Sequence, residues 1–201
     1  MVDEIKQVKW DERYINMAKH IASWTSCIAR GVGAVIVRDR CVLTTGYNGA
    51  PSGFFSCKDL NVCHKRELGF KGGEGHHVCR AVHAEMNAIL QASMHGIPIK
   101  GAHIYVTTSP CQNCAAAIVN SGITKVIYDS DYINKEGLEI LEKSIEVVKF
   151  EQGYNRLPCW TPNQKVILDS KHSVIQENCG TCLEYAKGVC TVHNMNLKGG
   201  K

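Results

Sequence analysis

His83-Ala84-Glu85 and, downstream, Pro110-Cys111-Gln112-Asn113-Cys114 hold the residues of this chain best suited to chemistry. Together they offer an imidazole, two thiols and a carboxylate. Imidazole and thiolate are zinc ligands, and an ion held by three protein ligands keeps its fourth position for water. The pKa of that water falls toward about 7, which makes hydroxide available at neutral pH. Glu85 stands two residues past His83, so its carboxylate can reach the bound water and carry its proton. The bland reading makes His83 a hydrogen-bonded core histidine, the cysteines small core residues, and Glu85 an acid favoured by a helix dipole. An isolated Cys-x2-Cys would support that reading. The joint pattern supports the metal one.

Such groups need rigid elements to hold them. Residues 83 to about 94 read as a helix with Ala84, Ala88, Ile89 and Ala92 available for packing, and residues 111–121 as a helix stopped by Gly122. Both halves of the motif thus open helices, where unpaired backbone N–H groups stabilise thiolates. Pro110 stiffens the entry, and its missing N–H costs nothing there. Residues 32–37 and 41–47 read as strands joined across a polar turn, Arg38-Asp39-Arg40. Further strands are expected at 102–107, 125–128 and 146–150, with a helix at 135–143. Strands alternating with helices imply parallel neighbours. The expected fold is a three-layer α/β/α arrangement around a mixed sheet of about five strands, opened by an antiparallel hairpin. A first helix is expected from Asp11, as N-cap, to about residue 28, on the spacing of Ile15, Ala18, Ile21, Ala22 and Trp24.

The 201 residues fit one domain over 1–150 and a polar, cysteine-bearing appendage over 151–201. Residues 54–80 lack periodicity and carry Cys57, Cys63, Cys79, His64, His76 and His77, so this insertion is expected to be functional or tied down by ligands. A net charge of +4 with 7% aromatics disfavours a basic, aromatic nucleic-acid groove and suits a small anionic substrate. No apolar run is long enough to span a membrane, and the first residues do not resemble a secretory signal. The reading is a cytoplasmic protein, in which eleven cysteines serve as metal ligands rather than disulfides. In the appendage, Cys179-Gly180-Thr181-Cys182 followed by Cys190-Thr191-Val192-His193 resembles half a zinc ribbon. It gives Cys179, Cys182, Cys190 and His193 as a third zinc site, with a redox pair as the competing reading.

His-x-Glu followed by Pro-Cys-x2-Cys is the signature of zinc nucleobase deaminases. Over residues 30–148 the chain resembles deoxycytidylate (dCMP) deaminase, a branch of the cytidine deaminase-like zinc hydrolases. Residues 32–37 (VGAVIV), 46–53 (GYNGAPSG), 79–89 (CRAVHAEMNAI), 104–107 (IYVT) and 109–111 (SPC) carry the resemblance. It implies hydrolysis of dCMP to dUMP and ammonia by a zinc-bound hydroxide, with Glu85 as proton shuttle, feeding dTMP synthesis. It also implies that Asn48 contacts the deoxyribose or base and that Tyr132 lines the nucleotide pocket. Arg30 and Arg80 are the candidates for the phosphate. In some members a second, structural zinc is held by residues matching Cys27 and Cys57. The upstream ligand here is His77 or Cys79, with Cys63 competing. Many members form hexamers activated by dCTP with a divalent ion such as Mg2+ and inhibited by dTTP. The alternatives are a deaminase of another cytosine nucleotide or of nucleic acid, and a non-catalytic zinc-binding module.

Overall fold

In the computed structural model, which describes residues 2–151 with side chains from Gln7 onward, five strands form one mixed sheet. The proposed Cys179, Cys182, Cys190 and His193 site lies outside the described residues. The strands are β1 (Gly33–Arg38), β2 (Cys41–Tyr47), β3 (His103–Thr108), β4 (Lys125–Ser130) and β5 (Glu146–Lys149), in the order β2-β1-β3-β4-β5. β1 runs antiparallel to both β2 and β3, while β3, β4 and β5 are parallel. The β1–β2 turn has only two central residues, Asp39 and Arg40, at φ 51° and 62°. Two successive positive φ values give a primed turn, whose twist matches that of the flanking strands.

Helices cover both faces of the sheet, as expected for three layers. On one side α1 (Val2–Ala22) packs Tyr14, Ile15, Ala18 and Ile21 against Val35, Val37, Tyr105 and Ile127. The short helices α2 (Cys57–Leu60) and α3 (His64–Glu67) follow in the insertion, which ends in a 3-10 turn at His76–Val78. On the other side lie α4 (Ala84–Met94), α5 (Gln112–Asn120) and α6 (Glu136–Glu142). There Ala84, Ala88, Ala115, Ile118, Leu138 and Leu141 meet Ala34, Ile36, Ile104, Val106 and Val126. Alternate residues of β1, β3 and β4 feed the two cores, so these strands, covered on both faces, are largely apolar.

The first helix differs from expectation. It begins at Val2 and ends at Ala22, so Asp11 is mid-helix and Trp24 lies past its end, exposed. Asp11 caps nothing; its buried carboxylate accepts hydrogen bonds from the Tyr105 hydroxyl at 2.7 Å and Gln7 Nε2 at 2.8 Å. A tertiary partner, a buried tyrosine that needs an acceptor, explains the aspartate better than local capping does. The insertion is more ordered than its sequence suggests. Ser56 accepts from the Asp59 backbone N–H, and Asp59 accepts from the Ser56 backbone N–H, a complete capping box on α2.

Two glycines bring backbones together beside the motif residues. A Cβ at Gly46 would stand 2.2 Å from the Ala84 carbonyl oxygen, and one at Gly137 would stand 2.0 Å from that of Pro110. Strand β2 therefore touches the start of α4, and α6 touches the turn that presents Cys111. Gly137→Ala forces these backbones apart, an overpacking that typically costs about 1–3 kcal/mol. Urea unfolding should show a lower midpoint, and the variant should retain less zinc during gel filtration; wild-type values on both counts would contradict this packing role.

Candidate active site

Each motif residue sits at a helix start for a local reason. His83 is the N-cap of α4, in extended backbone (φ −71°, ψ 156°), and Cys111 is the N-cap of α5 (φ −73°, ψ 170°). One helical turn on, Cys114 points the same way as Cys111. Glu85 lies in the first turn of α4 and is 4% exposed. The residue before His83 is fixed by a two-way backbone bridge: Gly49 N–H donates to Val82 O at 3.1 Å, and Val82 N–H donates to Gly49 O at 2.8 Å. The glycine-rich loop thus holds the histidine's strand entry. α5 starts just past β3, so Cys111 and Cys114 stand at the carboxyl end of a parallel pair, where open α/β sheets bind ligands.

His83 Nδ1 lies 3.4 Å from Cys111 Sγ and 3.5 Å from Cys114 Sγ. Tetrahedral zinc, with bonds of about 2.3 Å to sulfur and 2.0–2.1 Å to nitrogen, sets its sulfur and nitrogen ligands about 3.5 Å apart. The three side chains therefore fit a zinc ion without rearrangement. Among the described residues they are the one group of three ligand side chains whose donor atoms all lie within 4.8 Å of one another.

Electrostatics agree with the geometry. The bond from Cys114, then that to His83, holds the Cys111 thiol well below its ordinary range. Pairing with Cys111 and burial push Cys114 up, and the bond to Cys111 raises His83. Two bare thiolates cannot be buried together without a cation, so one sulfur is favoured as thiolate and the other as thiol. Burial raises the Glu85 carboxyl and so favours its protonated form.

A cavity of about 280 Å³ opens above these groups. His83, Glu85 and Cys111 line it, as do Asn48, Tyr132 and Arg30; Arg80 does not. The Asn48 amide is largely committed to structure. Its Oδ1 accepts from Val32 N–H and Thr25 Oγ1, each at 2.8 Å, and its Nδ2 donates to Arg30 O at 2.8 Å. Tyr132 donates its backbone N–H to Ser109 Oγ at 2.7 Å, and the Arg30 guanidinium lies 6.0 Å from its ring centroid. His76, one of the insertion's candidate ligands, instead lines the cavity. Its ring is 5.1 Å from that of His83, and its Nε2 is 3.3 Å from the Tyr132 hydroxyl. Three further cavity-lining cations, Lys65, Arg66 and Lys71, come from the insertion. No periodicity or motif marks any of them, since a fold on the insertion is what brings them there.

The remaining cysteines share a neighbourhood rather than a point. Cys57 is buried, and its thiol is pushed up by burial and then by Cys27, Cys63 and Cys79. His77 instead packs its ring against Phe70 in a T-shaped contact, with centroids 5.6 Å apart.

With this geometry, residues 8–130 match the family described as the cytidine and deoxycytidylate deaminase zinc-binding region. The chain belongs to that family. Within it, a deoxycytidylate deaminase of Mycobacterium phage D29 is 40% identical over 127 residues, covering 61% of this chain and 95% of the relative. ComE operon protein 2 of Bacillus subtilis is 37% identical over 128 residues, which is 64% of this chain; the match spans 63% of that relative's length. Among solved structures, the dCMP deaminase of cyanophage S-TIM5 in complex with dCMP and dUMP is 30% identical, with a TM-score of 0.59. That likeness covers 69% of this chain and 94% of the phage enzyme. No helix among the described residues is long and apolar enough to cross a membrane.

The ligand set predicts metal content directly. His83→Ala and Cys114→Ser should each lose one zinc equivalent by elemental analysis, whereas a serine at the exposed Cys41 should leave the content unchanged. Full zinc retention in the first two variants would rule out the trio as ligands.

Proposed function

We propose that this protein is a zinc-dependent hydrolase that converts dCMP and water to dUMP and ammonia. The observation that carries the reading is the convergence of His83, Cys111 and Cys114 beside the buried Glu85, at the base of a cavity with a cationic wall. The zinc ion, when bound, supplies an acidified water as nucleophile at neutral pH. Glu85 would pass one proton of the attacking water to the ring nitrogen beside the carbon under attack. It would then take the second from the hydroxyl formed at that carbon and deliver it to the amine, which leaves as ammonia as the carbonyl forms. The raised carboxyl pKa of Glu85 favours the second half of this shuttle, and burial keeps competing water away from it.

The surrounding groups receive the nucleotide. Asn48 fixes the backbone of residues 30–32 on the substrate side of the cavity, which is how we assign its role toward the deoxyribose or base. Tyr132, oriented through Ser109 and next to His76, forms the wall toward the sugar. Arg30 beside it supplies positive charge for the phosphate. The deoxycytidylate deaminases among the relatives, and the phage enzyme's complex with dCMP and dUMP, support the choice of substrate. Activation by dCTP with Mg2+, inhibition by dTTP, a hexameric assembly, a cytoplasmic location and a place in dTMP supply are proposed on family resemblance.

Glu85→Gln should keep its zinc yet release ammonia from dCMP about 100- to 10,000-fold more slowly, the usual worth of a positioned proton shuttle. Near-normal turnover in that variant would instead favour a zinc-binding module without this chemistry.

We also assign a second, structural zinc to Cys27 and Cys57 with Cys79 and Cys63. Cys57 is buried beside Cys27, Cys63 and Cys79 while the His77 ring packs against Phe70, which supports this set over one containing His77. No three of these sulfurs lie within 4.8 Å of one another, so binding would draw them together. Closed sulfur sites contribute folding energy, and this one would tie α2 and α3 to the end of α1. Cys57→Ser should lose one zinc equivalent and unfold at lower temperature while His83, Cys111 and Cys114 keep theirs; zinc content equal to wild type would remove the assignment.

A further inference from the structure

We propose that Lys65, carried by the insertion rather than by the sheet framework, determines specificity by receiving the 5′-phosphate of the substrate. This rests on the nucleotide reading above and adds to it a residue that no motif marks. Four cations line the cavity, namely Arg30, Lys65, Arg66 and Lys71, and Glu85 is the one carboxylate lining it. The cations of the lining therefore outnumber its carboxylates four to one. Of the four cations, Lys65 is the one that is half-buried, while the other three are exposed. Among the described residues no carboxylate forms an ion pair with Lys65. A partly desolvated ammonium without a counter-charge is costly, and an anionic ligand relieves that cost.

The placement of Lys65 is built into the local backbone. Gly75, at φ 64°, has no room for a side chain because a Cβ there would stand 2.6 Å from the Phe70 ring and 3.0 Å from Lys65 Cγ. The lysine stem therefore runs along Gly75 toward its neighbour His76, which faces both His83 and Tyr132. The segment is anchored at both ends of the wall. Arg66 N–H donates to the carbonyl of the buried Cys63 at 2.9 Å, and Phe70 N–H donates to Lys65 O at 3.1 Å. At the far end Asn134 Nδ2 donates to Gly73 O at 3.4 Å, and a Cβ on Gly72 would meet Ile133 at 2.7 Å. The insertion thus closes against the loop that carries Tyr132. A nucleotide whose amine carbon faces Glu85 extends its phosphate toward this wall, where a lysine acts as a point charge on the dianion.

The test compares wild type, Lys65→Ala and Lys65→Arg for dCMP turnover and for equilibrium binding of dUMP and of deoxyuridine, which lacks the phosphate. Loss of a charge-assisted contact should lower kcat/KM for dCMP about 10- to 100-fold in the alanine variant, chiefly through KM. The affinity ratio of dUMP over deoxyuridine should fall by a similar factor, and arginine should restore most of it. Unchanged zinc content and urea midpoint in Lys65→Ala would tie the loss to phosphate recognition. A wild-type ratio in the alanine variant, with wild-type dCMP turnover intact, would overturn the role of Lys65 alone. Failure of the wild-type protein to release ammonia from dCMP would overturn the parent reading and this inference with it.

Discussion

Two sulfurs, an imidazole and a carboxylate are buried together where α4 and α5 begin, and their charges must balance. Backbone N–H groups at the two helix starts supply only partial positive charge, roughly half an elementary charge each. Without a cation the two thiols are driven apart, with Cys111 pulled down and Cys114 pushed up. A divalent ion resolves the conflict, since both sulfurs can then ionise and the histidine can offer a neutral nitrogen. The spacing of the three ligand atoms already matches such an ion.

Much of the fold serves to keep these helix starts in register. The parallel pairing of β3 with β4 places α5 at a carboxyl edge, and the bridge from Gly49 to Val82 places His83 opposite it. Gly46 and Gly137 let a strand and a helix approach at backbone distance, so that neither N-terminus can drift. On the far face α1 and its aromatic cluster close the second core through Tyr14 and Tyr105, whose ring centroids lie 4.9 Å apart. The insertion adds a wall to the cavity, and its cations give that wall its sign.

What the sequence discloses follows the range of the interaction involved. The grouping of His83, Cys111 and Cys114 is readable because ligand geometry maps onto short spacings at helix starts. The strands were readable from continuous apolar runs, and the hairpin from a polar turn of the right length. Asp11 was misread because an aspartate before an apolar period looks like a cap, whereas its partner Tyr105 comes from another element. Lys65 is not legible as a site residue, and His76 is legible only as one of several ligand types in the insertion, because only the folded insertion brings them to the cavity. One signal was available there: Ser56 followed three residues later by Asp59 announces the capping box that starts the insertion's first helix. Asn48 shows a different limit. Its position in the glycine-rich loop was informative, but which atoms it engages became clear only from Val32, Thr25 and Arg30.

Diffraction data collected on either side of the zinc absorption edge, from crystals of protein never exposed to chelator, test the account most directly. An anomalous peak should lie within bonding distance of His83 Nδ1, Cys111 Sγ and Cys114 Sγ, with a fourth position facing Glu85 and the cavity. Absence of any peak there, with zinc present elsewhere in the same crystal, would contradict the account.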